Sequence, residues 1–252
     1  MRRLRCRVAG AGPDAGTSLT ELAITMMIMG VVIAATAMLV IGAQRTNTQT
    51  MNRVDQIQEA RNGVERMSRT LRASVMPSQL LSACAGCTED AFIRGAAYEV
   101  QFYSNVDNPG NSVGPSRVTY EITETAPGVG DLLQTIQVPN SPIPTSTGYA
   151  YCNPVTDTSA ACQARVNRQV VARDVLVDPA RPMFTYYDLN GAQLVPSGGT
   201  LTADQLRLVL AIEVRLEVQK QASSIALPTE YIQRIMLPNA QAIIRAGEEE
   251  TP

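Results

Sequence analysis

The chain has 252 residues, 45% of them apolar and 4% aromatic, with no Trp, no His and a net charge of −2. Lacking His, it excludes His-based triads, HExxH zinc sites and His proton shuttles; its only Lys, Lys220, follows no Gly-rich loop that could make it a phosphate-binding lysine. The near-neutral balance predicts no direct nucleic-acid binding. With no dinucleotide fingerprint and no paired carboxylates in a recognisable setting, the expected class is non-enzymatic, without cofactor or metal.

Charge is uneven along the chain. Arg2, Arg3, Arg5 and Arg7 against Asp14 leave residues 1–16 at +3 and the remainder at −5. From Leu22 to Ile41 there is no charge, and Thr25 and Thr36 are the polar interruptions. A helix over these twenty residues rises about 30 Å, the thickness of a bilayer core. The arginines before it favour a cytoplasmic N-terminus and an exterior C-terminal part. Two processing routes compete. A secretory signal would be cut after Ala37, at Ala35-Thr36-Ala37. The apolar run continues through Met38-Leu39-Val40-Ile41, however, which favours cleavage before the run, between Gly16 and Thr17.

Gly16-Thr17-Ser18-Leu19-Thr20-Glu21-Leu22 resembles the class III signal of type IV pilin-like proteins. The resemblance implies that prepilin peptidase cuts after Gly16 on the cytoplasmic side, that Thr17 becomes the N-methylated first mature residue, and that Glu21 is the family's fifth-position glutamate. Thr17 stands where the family usually has Phe, and Met38 where many major pilins have a helix-loosening Pro. A lone carboxylate at the bilayer centre costs roughly 2.5–3.5 kcal/mol. A free α-amine, with a pKa of about 7.7–8.0, is largely cationic at neutral pH, and methylation keeps that charge. The expectation is an assembly contact in which Glu21 pairs with the Thr17 amine of a neighbouring subunit; the rival is a Glu that snorkels to water.

The helical pattern continues from Gln44 to Met76. Met51, Val54, Ile57, Val64, Met67, Leu71 and Val75 recur at three- and four-residue steps. Arg61, Glu65 and Arg69 form a ladder on another face. Asn62-Gly63 weakens the helix by about 1 kcal/mol, and Pro77 is a plausible stop. The period then becomes two. Strands are expected over 98–103, 117–123, 132–138, 169–177, 183–187 and 231–237, and most clearly over 206–218. Asp107-Asn108-Pro109-Gly110 and Asn190-Gly191 are turn signals. Asp107 and Asp188 lie in oxygen-rich loops without the spacing of a calcium loop and read as turn residues.

Glu65-Arg66-Met67-Ser68-Arg69-Thr70-Leu71-Arg72 is similar to the end of the first helix in J-type minor pseudopilins of type II secretion and W-type minor pilins. Phe184 to Gly191 resembles their aromatic hairpin, and the strand from Leu206 with Arg234 to Asn239 their closing strands; Pro238 stands where they usually carry Arg. The resemblance implies a minor pilin or pseudopilin, with prepilin peptidase, other pilins, the inner-membrane assembly platform and the lipid bilayer as partners. The expected fold class is α+β: a long N-terminal helix packed on a C-terminal antiparallel β-rich head. The expected divisions are a leader at 1–16, the pilin helix at 17–76 with its span at 22–41, the head at 77–246 and an acidic tail at 247–252. The alternative function is a single-pass anchored exterior domain that binds a ligand and never polymerises.

Cys6 falls in the leader. Cys84, Cys87, Cys152 and Cys162 form an even set that suits an oxidising exterior. Three pairings are possible, and local closure favours Cys84–Cys87 with Cys152–Cys162. Zinc and redox chemistry are the rivals; the missing His and the unequal spacings favour disulfides.

Overall fold

The change of hydrophobic period near Pro77 separates a helical stretch from an antiparallel sheet, and the computed structural model carries both. It describes residues 18–80, 90–145, 148–220 and 227–238. Helix α1 spans Leu19–Arg72. The chain divides into two compact units, one ending at Met51 and the other beginning at Asn52. In the second unit the order is the end of α1, then α2 (Pro77–Leu80), β1 (Phe92–Gly95), β2 (Glu99–Ser104), β3 (Ser116–Ala126), β4 (Val129–Gln137), α3 (Ala160–Gln163), β5 (Val166–Leu176), β6 (Phe184–Tyr187), β7 (Gln193–Leu194), α4 (Ala203–Leu208), β8 (Ala211–Val218) and β9 (Thr229–Met236).

The strands form one antiparallel sheet ordered β1-β2-β3-β4-β5-β8-β6-β7, with β9 on β8. β8 carries β9 along one edge and divides the other between β6 and Val175 of β5. Alternation puts Val100 and Phe102 of β2, Val118 and Tyr120 of β3, and Leu132 and Ile136 of β4 into the core. Ala60, Val64, Met67 and Leu71 of α1 enter the same cluster with no exposed surface. Burying Val64, Met67 and Leu71 contributes roughly 1.5–3 kcal/mol each. The upper part of the predicted stripe differs: Met51, Val54 and Ile57 remain exposed.

Gly63 has a positive role. A Cβ there would lie 2.9 Å from Leu216 Cδ2 and 3.4 Å from the Ala172 Cβ, so its missing side chain permits the helix to close on β5 and β8. The loss in helix propensity is offset by that packing.

A polar node joins α1 to the sheet inside this core. Tyr120 Oη and Thr70 Oγ1 are 2.5 Å apart, and Gln134 Nε2 donates to Tyr120 Oη at 2.5 Å. Thr70 Oγ1 donates to the Met67 carbonyl, so the consistent assignment has the Tyr120 hydroxyl donating to Thr70. Gln134 Oε1 accepts from Arg66 Nε at 3.1 Å and Gln169 Nε2 at 2.7 Å. Burial holds the Tyr120 hydroxyl well above the usual tyrosine range, so it stays protonated and can donate.

The end of α1 is set by β2. Ser104 Oγ donates to the Thr70 and Ala73 carbonyls, both at 3.0 Å, and Asn105 N donates to Ala73 O. These bonds satisfy carbonyls that a helix terminus leaves without intrahelical partners. Pro77, expected as the stop, instead opens α2, where a missing N–H and a fixed φ are tolerated. A second correction concerns residues 206–218. The single long strand expected there is helix α4 followed by β8. Thr202 Oγ1 accepts from Gln205 N while Gln205 Oε1 accepts from Thr202 N. This capping box starts a helix and overrides the two-residue alternation of Leu206, Leu208 and Leu210.

The other expected strands are present with shifted ends; β1 and β7 are too short to read from pattern. Asn190-Gly191 turns β6 into β7, with Asp188 Oδ1 accepting from Asn190 N and Ala192 N. Tyr120→Phe would strip Gln134 Nε2 of its acceptor and is expected to cost about 1–3 kcal/mol. Urea unfolding of the full chain in detergent measures that loss; an unchanged midpoint would show the node to be energetically neutral.

Candidate functional site

Ser18 and Glu21 open α1 with a reciprocal pair of hydrogen bonds. Ser18 Oγ accepts from Glu21 N at 3.3 Å, and Glu21 Oε2 accepts from Ser18 N at 3.2 Å. This is a Ser-x-x-Glu capping box. The spacing of Ser18-Leu19-Thr20-Glu21 carries its signature, beside an apolar run that dominates the stretch. It places a negative charge at the positive end of the helix dipole, a favourable position. One carboxylate oxygen is engaged in the cap, and Oε1 has no hydrogen bond among the described residues.

The apolar run after it has no burial. None of its apolar side chains is buried. Met27, Met38 and Leu39 are 75%, 74% and 75% exposed. The helix is long enough and apolar enough to cross a membrane. Its polar interruptions are internally satisfied. Thr25 Oγ1 donates to Leu22 O, and Thr36 Oγ1 donates to Val32 O and Ile33 O. A hydroxyl bonded back to its own helix can enter a bilayer without a lost hydrogen bond.

Gly16, Thr17, Cys84 and Cys87 lie outside the described residues. Cys152 and Cys162 are joined by a disulfide, Cα to Cα 5.9 Å, across ten positions. Asp157 lies close enough for its carboxylate to complete a three-ligand set with the two sulfurs, but in the disulfide neither sulfur is a thiolate that could hold a metal. Ser159 caps α3 by accepting from Cys162 N. Hydrogen bonds to Ser159 hold the Asp157 carboxyl below the usual range.

The disulfide loop is pinned to the outer face of the sheet. Gln137, buried on β4, donates through Nε2 to the Cys152 carbonyl at 2.7 Å. Tyr151 Oη donates to Pro115 O at 2.5 Å. The Tyr151 ring packs on Tyr103, centroids 5.8 Å apart, and under the Arg117 guanidinium at 4.9 Å. Sequence reading identifies the cysteines but not these anchors, because Gln137, Tyr151 and Arg117 carry no local signature and meet through strand register.

No family model, curated protein or solved structure matches the chain.

Thiol mapping of the unreduced protein should find Cys152 and Cys162 unreactive. Replacing both by Ser is expected to lower stability by about 3 kcal/mol or less, as loop-closure entropy for a short loop gives. Ready alkylation without reductant would overturn the pairing.

Proposed function

We propose that this chain is a membrane-anchored structural subunit of a pilin-like filament, a minor pilin or pseudopilin. The observation that supports this best is the continuity of α1. The same helix carries an exposed apolar run of membrane-spanning length and, further along, the Ala60, Val64, Met67 and Leu71 face that forms the core of an antiparallel head. A helix of this kind inserts in a bilayer as a monomer and packs its apolar half against other subunits in an assembly. In this reading the N-terminus is cytoplasmic, the head is exterior, prepilin peptidase cuts after Gly16, and the Thr17 amine is methylated. Glu21 then has a second use: the oxygen left over from the cap pairs with a neighbour's amine.

The capping box itself favours a second reading. If the Ser18 bonds satisfy Glu21 locally, the helix can serve as a plain anchor for an exterior head that does not polymerise.

Mass spectrometry of the N-terminus of membrane-derived protein tests the processing. A chain starting at methylated Thr17 is expected; a start at Met38 would replace the filament reading with a secretory one. Glu21→Ala separates the two roles of the carboxylate. Membrane insertion should persist, since removing a charge from an apolar run eases burial, and the assembled fraction should fall. Normal assembly by this variant would reduce Glu21 to a helix cap.

A further inference from the structure

The outer face of β2 to β5 forms the floor of a cleft of about 330 Å³, walled on one side by residues 151–155 of the disulfide loop. That volume is at the lower end of small-ligand sites, roughly 300–1,000 Å³. The floor, unlike most such sites, is polar. Strand register sets Gln101, Thr119, Thr135 and Arg168 side by side across four strands. Arg117 and Gln137 lie opposite each other in the next row, and Glu99 and Glu121 in the row on the other side. The wall is fixed by the Gln137, Tyr151 and Arg117 contacts, so the cleft is shaped before any ligand arrives.

Its charges are arranged unequally. Glu99 is neutralised by Arg94 at 2.8 Å. Arg117 is engaged by an amide and a ring, with its Nη2 donating to Gln137 Oε1 at 2.5 Å. Neither Arg117 nor the exposed Arg168 makes an ion pair among the described residues. The floor therefore offers two cations that make no ion pair among the described residues, a row of amide and hydroxyl groups that both donate and accept, and the single carboxylate of Glu121. A hydroxyl-rich molecule answers such a row, because each hydroxyl is donor and acceptor at once. The guanidiniums add a demand for an anionic group, which they bind through charge-assisted hydrogen bonds. Arg117 and Arg168 stand two strands apart, about 10 Å across the sheet, so a compact lone anion cannot span them.

We propose that this cleft binds an acidic saccharide, with a sugar carboxylate on Arg168, a second anionic or hydroxyl contact on Arg117, and ring hydroxyls along Gln101, Thr119 and Thr135. The site operates whether or not the chain polymerises.

The test uses the oxidised full chain in phosphatidylcholine nanodiscs, titrated calorimetrically with trigalacturonate, with maltotriose as the neutral counterpart and with citrate as an anion that is not a sugar. Saturable binding of trigalacturonate is expected, at least tenfold tighter than either control. Arg168→Gln should weaken it at least tenfold while leaving the thermal unfolding midpoint unchanged, since Arg168 is exposed and makes no ion pair or side-chain hydrogen bond among the described residues. Thr135→Val should weaken trigalacturonate and leave any citrate binding as it was. Absence of saturable binding, equal affinity for maltotriose or citrate, or an Arg168→Gln variant that binds as the parent does would each overturn the proposal.

Discussion

One constraint governs this molecule: a single helix must satisfy two different surroundings. Over residues 22–41 it presents apolar side chains on every face and leaves them uncovered, with its threonine hydroxyls bonded back to its own carbonyls. Over residues 60–71 it presents one apolar face to a sheet and closes the core of the head. Helix geometry permits this because its backbone bonds are internal, so the same hydrogen-bond ladder needs no outside partner whatever surrounds it. The medium is chosen by side chains alone.

The head is built to hold the second part of that helix in a defined rotation. Apolar burial supplies most of the attraction, but apolar contacts are non-directional. Direction comes from Gly63, which lets β5 and β8 approach, and from the Tyr120, Thr70 and Gln134 node, whose donors and acceptors meet in only one register. Leaving one member of such a node unpaired costs more than the net value of the bonds it makes. The Ser104 hydroxyl then takes up the terminal carbonyls of α1. Helix rotation and helix length are thus both read from the sheet.

The opposite face of the same strands serves another purpose. Because side chains alternate, each core residue on β2 to β5 has neighbours that face outward, and here those neighbours include amides, hydroxyls, arginines and glutamates. The disulfide loop folds over this face and is secured by Gln137 from below. The residues that make the wall and the floor are separated widely in sequence, so the cleft depends on the same register that builds the core.

Much of the architecture was legible from residue pattern alone. The uncharged run at 22–41, the helix-period face of Val64, Met67 and Leu71, the alternation of six strands and the local pairing of Cys152 with Cys162 are all properties of nearby residues, and local spacing dictates them. The Ser18–Glu21 and Thr202–Gln205 capping boxes are equally local but went unread: the apolar run dominated the first, and at the second the alternation from Leu206 to Val218 read as one strand and hid the helix that Thr202 begins. What only the tertiary structure decided depends on partners far away in the chain. Met51, Val54 and Ile57 continue the apolar stripe in sequence, yet are exposed where Val64, Met67 and Leu71 are buried. The helix stops at Arg72, ahead of Pro77, because the hydroxyl of Ser104, on a strand reached only after the chain has turned back, donates to its last carbonyls. The outer cleft exists because strand pairing aligns Gln101, Thr119, Thr135 and Arg168, a row set by hydrogen-bond register between strands, to which no single stretch of sequence holds the key.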